Sequence, residues 1–87
     1  MKILGIADTH ITARSTLAGA APTVGGEPLV LVQSRRMMSW IARVSLEHDI
    51  DLNVHCGDVY ESARPLPSEE AVAVNAMIEL TECAPTV

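Results

Sequence analysis

The segment KILGIADTH, residues 2–10, decides how the rest of the chain is read. Ile3, Leu4, Ile6 and Ala7 form a short, nearly continuous apolar run. A run without polar alternation suits a strand covered on both faces of a parallel sheet, so a strand is expected over Lys2 to Ala7. It ends abruptly in Asp8-Thr9-His10, an acid and an imidazole two positions apart. Alone, such a triplet also reads as a polar turn. About fifty residues later the pattern returns, where the run LNV is followed by HCGDVYE and a Gly-Asp pair, Gly57-Asp58, closes a second strand expected over Asp51 to Cys56.

Between these strands the chain reads in two parts. From Asp8 to about Gln33 the residues carry Gly, Ala, Pro and Thr without a sustained period, so a loop is expected. Within it a small hairpin is expected, with Gly25-Gly26 at its tip and LVLV, residues 29–32, returning. Ser34 then reads as an N-cap for a helix to His48, with Met37, Ile41 and Val44 at helical spacing and Trp40 beside them. After Asp58 the loop YESARPLP, broken by two prolines, leads to Ser68, a candidate cap for a second helix. Glu69 and Glu70 open that helix, where acids favour the dipole, and Val74, Met77, Ile78 and Thr81 supply its apolar stripe. The closing CAPTV reads as the start of a third strand. The order strand, loop, helix, strand, helix, strand defines an α/β chain of the parallel βαβα(β) kind with right-handed crossovers.

Composition bounds what this arrangement can do. The chain has 87 residues, enough for one small core or part of a larger one. With hydrophobic residues at 48% and Trp40 and Tyr60 as the only aromatics, the core must be aliphatic. The net charge of −5 excludes a broad basic surface that would neutralise phosphates unaided. Cys56 and Cys83 form no CxxC pair, which fits free thiols in a reducing compartment. The start MKILGIAD reaches Asp8 too soon for a signal-peptide core, and no apolar run approaches the roughly 18 residues of a membrane span. A cytoplasmic protein with no membrane association is the expectation.

In a parallel sheet ligands collect outside the carboxyl ends of the strands. Neighbouring strands lie about 4.8 Å apart, so Asp8 and His10 after the first and Asp58 after the second can converge on one small volume. Carboxylate oxygen mixed with imidazole nitrogen suits Mn, Fe or Zn, whereas Mg and Ca prefer oxygen alone. A carboxylate bridging two ions about 3.5 to 4 Å apart would make a two-metal hydrolytic site. Gly57, just before the acid, lets the backbone turn sharply. The Gly-Asp at the second strand end makes metal binding the better reading of Asp8 and His10.

The stretches MKILGIADTHI (1–11), IDLNVHCGDVYESARP (50–65) and PSEEAVAVNAMIEL (67–80) together resemble the beginning of the calcineurin-like metallophosphoesterases. More narrowly they are similar to the SbcD-type nuclease subunits of DNA double-strand-break repair. The resemblance implies that Asp8 and His10 bind a first metal and that Asp58 bridges two, with Mn2+ as the expected ion and Mg2+, Fe or Zn as substitutes. It implies the start of a metallophosphoesterase sandwich, with residues 1–87 as the N-terminal part of one domain and no second domain. DNA, an ATPase partner subunit and a homodimer are the partners it implies for the intact protein. Family members continue with Gly-Asn-His, a lone His and Gly-His-x-His; no Gly-Asn-His occurs here and only His48 and His55 remain besides His10, so the chain alone is expected to be weak or inert in catalysis. Ile11-Thr12 also replaces the usual Leu-Gly. A small-molecule or cyclic-nucleotide phosphodiesterase, and a non-catalytic interaction module, are the alternative readings.

The remaining polar residues have plainer roles. His55 on its strand is expected to point into sheet packing, His48 to complement a helix C-terminus, and Cys56 to be small and buried. Thr9 reads as a turn residue, and Glu61 as either a solvated acid or a partner for His10. Arg64, whose loop leaves the strand-end edge, is the candidate substrate contact. Asn53 and His55 share one strand face, which is expected to meet a polar layer or an interface.

Overall fold

In the computed structural model, which describes residues 1–14 and 22–87, the two apolar runs pair side by side. Strand β1 (Ile3–Ile6) and strand β4 (Leu52–His55) are parallel, in the register Ile3↔Leu52, Leu4↔Asn53, Gly5↔Val54 and Ile6↔His55. Between them lie the two-residue strands β2 (Thr23–Val24) and β3 (Glu27–Pro28) and helix α1 (Leu29–Glu47). Helix α2 (Pro67–Cys83) follows β4. The chain is thus a small α/β protein with a parallel two-stranded sheet and two helices. The expected third strand is present as one parallel bridge, Asn53↔Thr86, in which Asn53 N donates to Pro85 O, His55 N to Val87 O and Val87 N to Asn53 O.

The β2–β3 hairpin turns at Gly25-Gly26, both at positive φ (58° and 82°), as a primed two-residue turn requires. Its returning strand is Glu27–Pro28, and LVLV, expected as that strand, is instead the first turn of α1. Pro28 cannot donate from its nitrogen and ends the strand, while Leu31 and Val32 bury themselves through helical rather than alternating geometry. Ser34 is therefore a buried residue inside the helix and not its cap; its Oγ accepts from Thr12 N at 3.4 Å. The part of the expected loop at 15–21 lies outside the described residues.

Helix α2 begins one residue before the expected cap. Leu66 is its N-cap, Pro67 occupies the first turn, and the Glu69 carboxylate closes the end by accepting from Leu66 N at 2.6 Å. Its buried face is Glu69, Val72, Ala73, Ala76 and Leu80. Three of the four positions in the expected apolar stripe point outward: Val74 is 57% and Ile78 55% exposed, and Thr81 is exposed. The face selected is the one that meets α1 and the sheet. Val72 and Leu80 share the buried face with Ala73 and Ala76, while Val74 and Ile78 are left on the rim. There they line an open groove of about 750 Å³ with His55, Tyr60, Met77 and Val87.

Both helices cover the same face of the sheet. Asn53 is fully buried on that face, bonding to Ser45 of α1 and Leu80 of α2. On the opposite face Ile3, Gly5 and Ala7 are exposed, so β1 is covered on one side and not on two as expected. The core is aliphatic: Ile6, Ile11, Leu31, Met38, Ala42, Val72 and Leu80 with the small alanines of α2. Trp40 stands outside it, 60% exposed. Both cysteines are free, and Cys56, expected to be buried, is exposed because it follows the end of β4 on the outward side. Among the described residues no helix is long and apolar enough to cross a membrane.

Candidate metal centre

The pairing of β1 with β4 does not stop where the strands stop. Cys56 N donates to Ile6 O, Asp8 N to Gly57 O, His10 N to Asp58 O and Ile11 N to Val59 O, the last at 2.8 Å. The two post-strand segments therefore run side by side and bring Asp8, His10 and Asp58 to one edge. A parallel bridge between Ile11 and Tyr60 closes this extension.

All three residues adopt left-handed backbone conformations, with φ of 54° at Asp8, 46° at His10 and 53° at Asp58. Asp and His tolerate this region better than most residues, yet it costs on the order of 1 kcal/mol or more per residue and persists only where the surroundings impose it. Gly57, at φ 120°, occupies a conformation open in practice to glycine alone, which lets the chain turn directly into Asp58. Among the described residues the only other non-glycine at positive φ is Asp49, in the turn after α1.

The surroundings that impose this geometry are buried. Ile11, fully buried, anchors the segment next to His10. Beyond it, Thr12 N bonds to Ser34 of α1, and Ala13 N donates to Glu69 Oε2 of α2 at 2.7 Å. Glu69 is itself 1% exposed. Burial pushes its carboxyl group up, but the Leu66 and Ala13 amides, with the Arg14 charge and the Thr12 hydroxyl, more than offset this, leaving it below the ordinary carboxylate value.

One oxygen or nitrogen from each of Asp8, His10 and Asp58 lies within 4.8 Å of the others, and all three residues are exposed. This is a separation that a single ion can span. His10 Nδ1 lies 3.0 Å from Glu61 Oε2, while His10 Nε2 lies 3.8 Å from Asp8 Oδ1. Glu61 thus orients the ring through one nitrogen and leaves the other facing the carboxylates, the arrangement that supports metal-binding histidines. Two carboxylates with one imidazole fit a divalent transition ion, and the group can hold one. The donors expected from the sequence are brought together, and Glu61 takes the partner role rather than that of a solvated acid.

Other residues fall elsewhere. Arg64 is exposed on the following loop, where Ser62 Oγ accepts from its backbone N, and it is not part of the three-residue group. His48 caps the C-terminus of α1, its N–H bonding to Val44 O. Thr9, read as a turn residue, is buried to 7% exposure and its hydroxyl donates to Val59 O at 3.1 Å. His55 Nε2 lies 3.1 Å from that same hydroxyl. The polar layer expected at Asn53 is internal: Ser45 Oγ donates to Asn53 Oδ1, and Asn53 Nδ2 donates to Leu80 O and Thr86 Oγ1. The pinning role of Glu69 was missed, although Pro-Ser-Glu at a helix start carries its signal. Comparison with known proteins gives no match to a family model and none to a curated protein.

Proposed function

We propose that this chain binds a divalent transition ion, Mn2+ first among them, through Asp8, His10 and Asp58, and that it is the N-terminal part of an SbcD-type metallophosphoesterase acting on DNA phosphodiesters. The single observation that carries the metal reading is that the described non-glycine residues held at positive φ are, Asp49 apart, these three donors, converged within 4.8 Å at the ends of two parallel strands. Strain concentrated on exposed polar residues is a cost without structural return and points to function. The nuclease reading adds the resemblance of the stretches around Asp8, Asp58 and Arg64.

In this reading Asp8, His10 and Asp58 would hold the metal, Glu61 would hold the His10 ring, and Arg64 would meet substrate phosphate. Bound ions would supply Lewis-acid polarisation of the phosphate and acidify water. The chain's own part is to fix the donors on a rigid strand-end scaffold. Three donors leave half of an octahedral shell to other ligands, so the chain alone is expected to bind metal without efficient hydrolysis. The exposed apolar groove beside α2 favours the second reading, an interaction module.

The test is a Mn2+ titration of the wild type, Asp8→Ala and Asp58→Ala, followed by the loss of the free-ion electron paramagnetic resonance signal. The expected result is binding by the wild type and a loss of at least about tenfold in each variant, equivalent to roughly 1.4 kcal/mol. Equal binding by all three proteins would remove the metal site and leave the module reading.

A further inference from the structure

We propose that His55 is a positioning residue for the metal centre, its ring clamping the segment that carries Asp8 and His10 to the segment that carries Asp58. This rests on the metal-binding reading above and adds a residue that contributes no donor to the site.

The argument starts from hydrogen-bond polarity. Gly57 N donates to His55 Nδ1 at 3.2 Å. A ring nitrogen that accepts must carry its lone pair, so the ring proton sits on Nε2. Nε2 lies 3.1 Å from Thr9 Oγ1 and donates to it. Thr9 Oγ1 has one proton of its own, which goes to Val59 O at 3.1 Å. Every donor in this chain finds an acceptor, and only the Nε2–H tautomer allows it.

The positions of these contacts give the ring its role. Thr9 stands between Asp8 and His10, and Gly57 stands immediately before Asp58. One imidazole therefore touches the residue adjacent to each donor on both segments. Thr9 is buried to 7% exposure whereas Asp8 and His10 are exposed, so anchoring the threonine inward holds its two neighbours outward. The bond to Gly57 N fixes the Cys56–Gly57 peptide plane, the last one before the glycine whose own backbone freedom sets the chain's direction into Asp58. The ladder between the two segments sets backbone spacing, and the His55 bridge sets which way the donors face.

Histidine is suited to this task at this place. It ends β4 on the helix-covered face in register with Ile6, and its two nitrogens point in opposed directions, so one side chain can accept from its own segment and donate to the other. Residues that orient metal ligands from outside the coordination shell commonly alter affinity by about 10- to 100-fold when removed.

The experiment measures Mn2+ affinity, without any activity assay, for the wild type, His55→Ala, Thr9→Val, Thr9→Ser, the His55→Ala/Thr9→Val double variant and Asp58→Ala, together with 15N NMR of the His55 ring and thermal unfolding without metal. His55→Ala and Thr9→Val are each expected to bind about tenfold more weakly, and the double variant no worse than the weaker single, because both break one link. Thr9→Ser keeps the hydroxyl and is expected to restore binding. The ring is expected to show the Nε2–H tautomer in the metal-free protein. If His55→Ala does not fold, the Thr9 pair decides, since valine matches threonine in shape. Unchanged affinity in Thr9→Val, equal loss in Thr9→Ser, or an Nδ1–H ring would overturn the inference. If Asp58→Ala loses binding while His55→Ala and Thr9→Val keep it, this inference alone falls; if Asp58→Ala binds as the wild type does, the metal reading falls and this one with it.

Discussion

Strand β4 and the segment that continues it carry two polar groups five residues apart that the chain treats in opposite ways. At Asn53 the side chain is fully buried, and its amide is used in both directions, accepting from Ser45 and donating to Leu80 O and Thr86 Oγ1. At Asp58 the carboxylate is exposed and its backbone is forced to φ 53°. A buried amide with its bonds made specifies how two helices and a third strand segment seat on the sheet. An exposed carboxylate in a strained conformation does nothing for seating. The structural task therefore ends with the strand at His55 and a chemical one begins in the segment beyond it, with His55 itself bonded across the boundary.

The contrast can be broken most strongly at its structural end. Asn53→Val removes the amide, leaves the buried Ser45 hydroxyl without its acceptor and takes one of two donors from Leu80 O, which should cost about 3 kcal/mol in urea unfolding. A neutral or stabilising result would show that the amide is not what seats the helices.

Glu69 is the next largest. Glu69→Ala removes the acceptor of two backbone amides and should cost about 2 kcal/mol. Because its folded carboxyl lies below the unfolded value of 4.5, its contribution is complete above that value and is lost as pH falls through the lower folded value. Acid unfolding of the wild type below about pH 4.5 should therefore be steeper than that of Glu69→Gln.

At the chemical end the effects turn from stability to binding. Glu61→Gln should leave the unfolding midpoint in place yet weaken Mn2+ binding about tenfold, by loosening the His10 ring. A small change in stability is the most diagnostic. Asp58→Gly relieves a left-handed residue and should stabilise the fold by roughly 1 kcal/mol while abolishing metal binding. Asp49→Gly, at φ 52° outside the site, should give the same gain with binding intact. Loss of stability in Asp58→Gly would mean that the aspartate is structural after all.

Much of this was legible in residue order. The apolar runs at 3–7 and 52–54 and the turn signals at Gly25-Gly26 and Gly57-Asp58 are local features, and each became the expected element within a residue or two. The candidate donors were legible for the same reason: a polar residue placed just after a parallel strand arrives at a known edge. What misread was decided by neighbours. LVLV could have been a strand or a helical turn, and only its packing against the rest of the core made it helix. The α2 stripe pointed the wrong way because the whole helix is rich in apolar residues, and only its docking on α1 and the sheet selected Val72, Ala73, Ala76 and Leu80 as the buried face.

Residue order determined that the chain alternates strands with helices, that its core is aliphatic, and that acids and a histidine stand at two strand ends. Those properties follow from backbone preference and from period, both readable within a few positions. The choice of one covered sheet face, the burial of Asn53 and Glu69, and the link from His55 through Thr9 to Val59 depended on residues some fifty positions apart meeting in space. Such contacts are settled by how the helices pack on the sheet, and no local pattern carries that information.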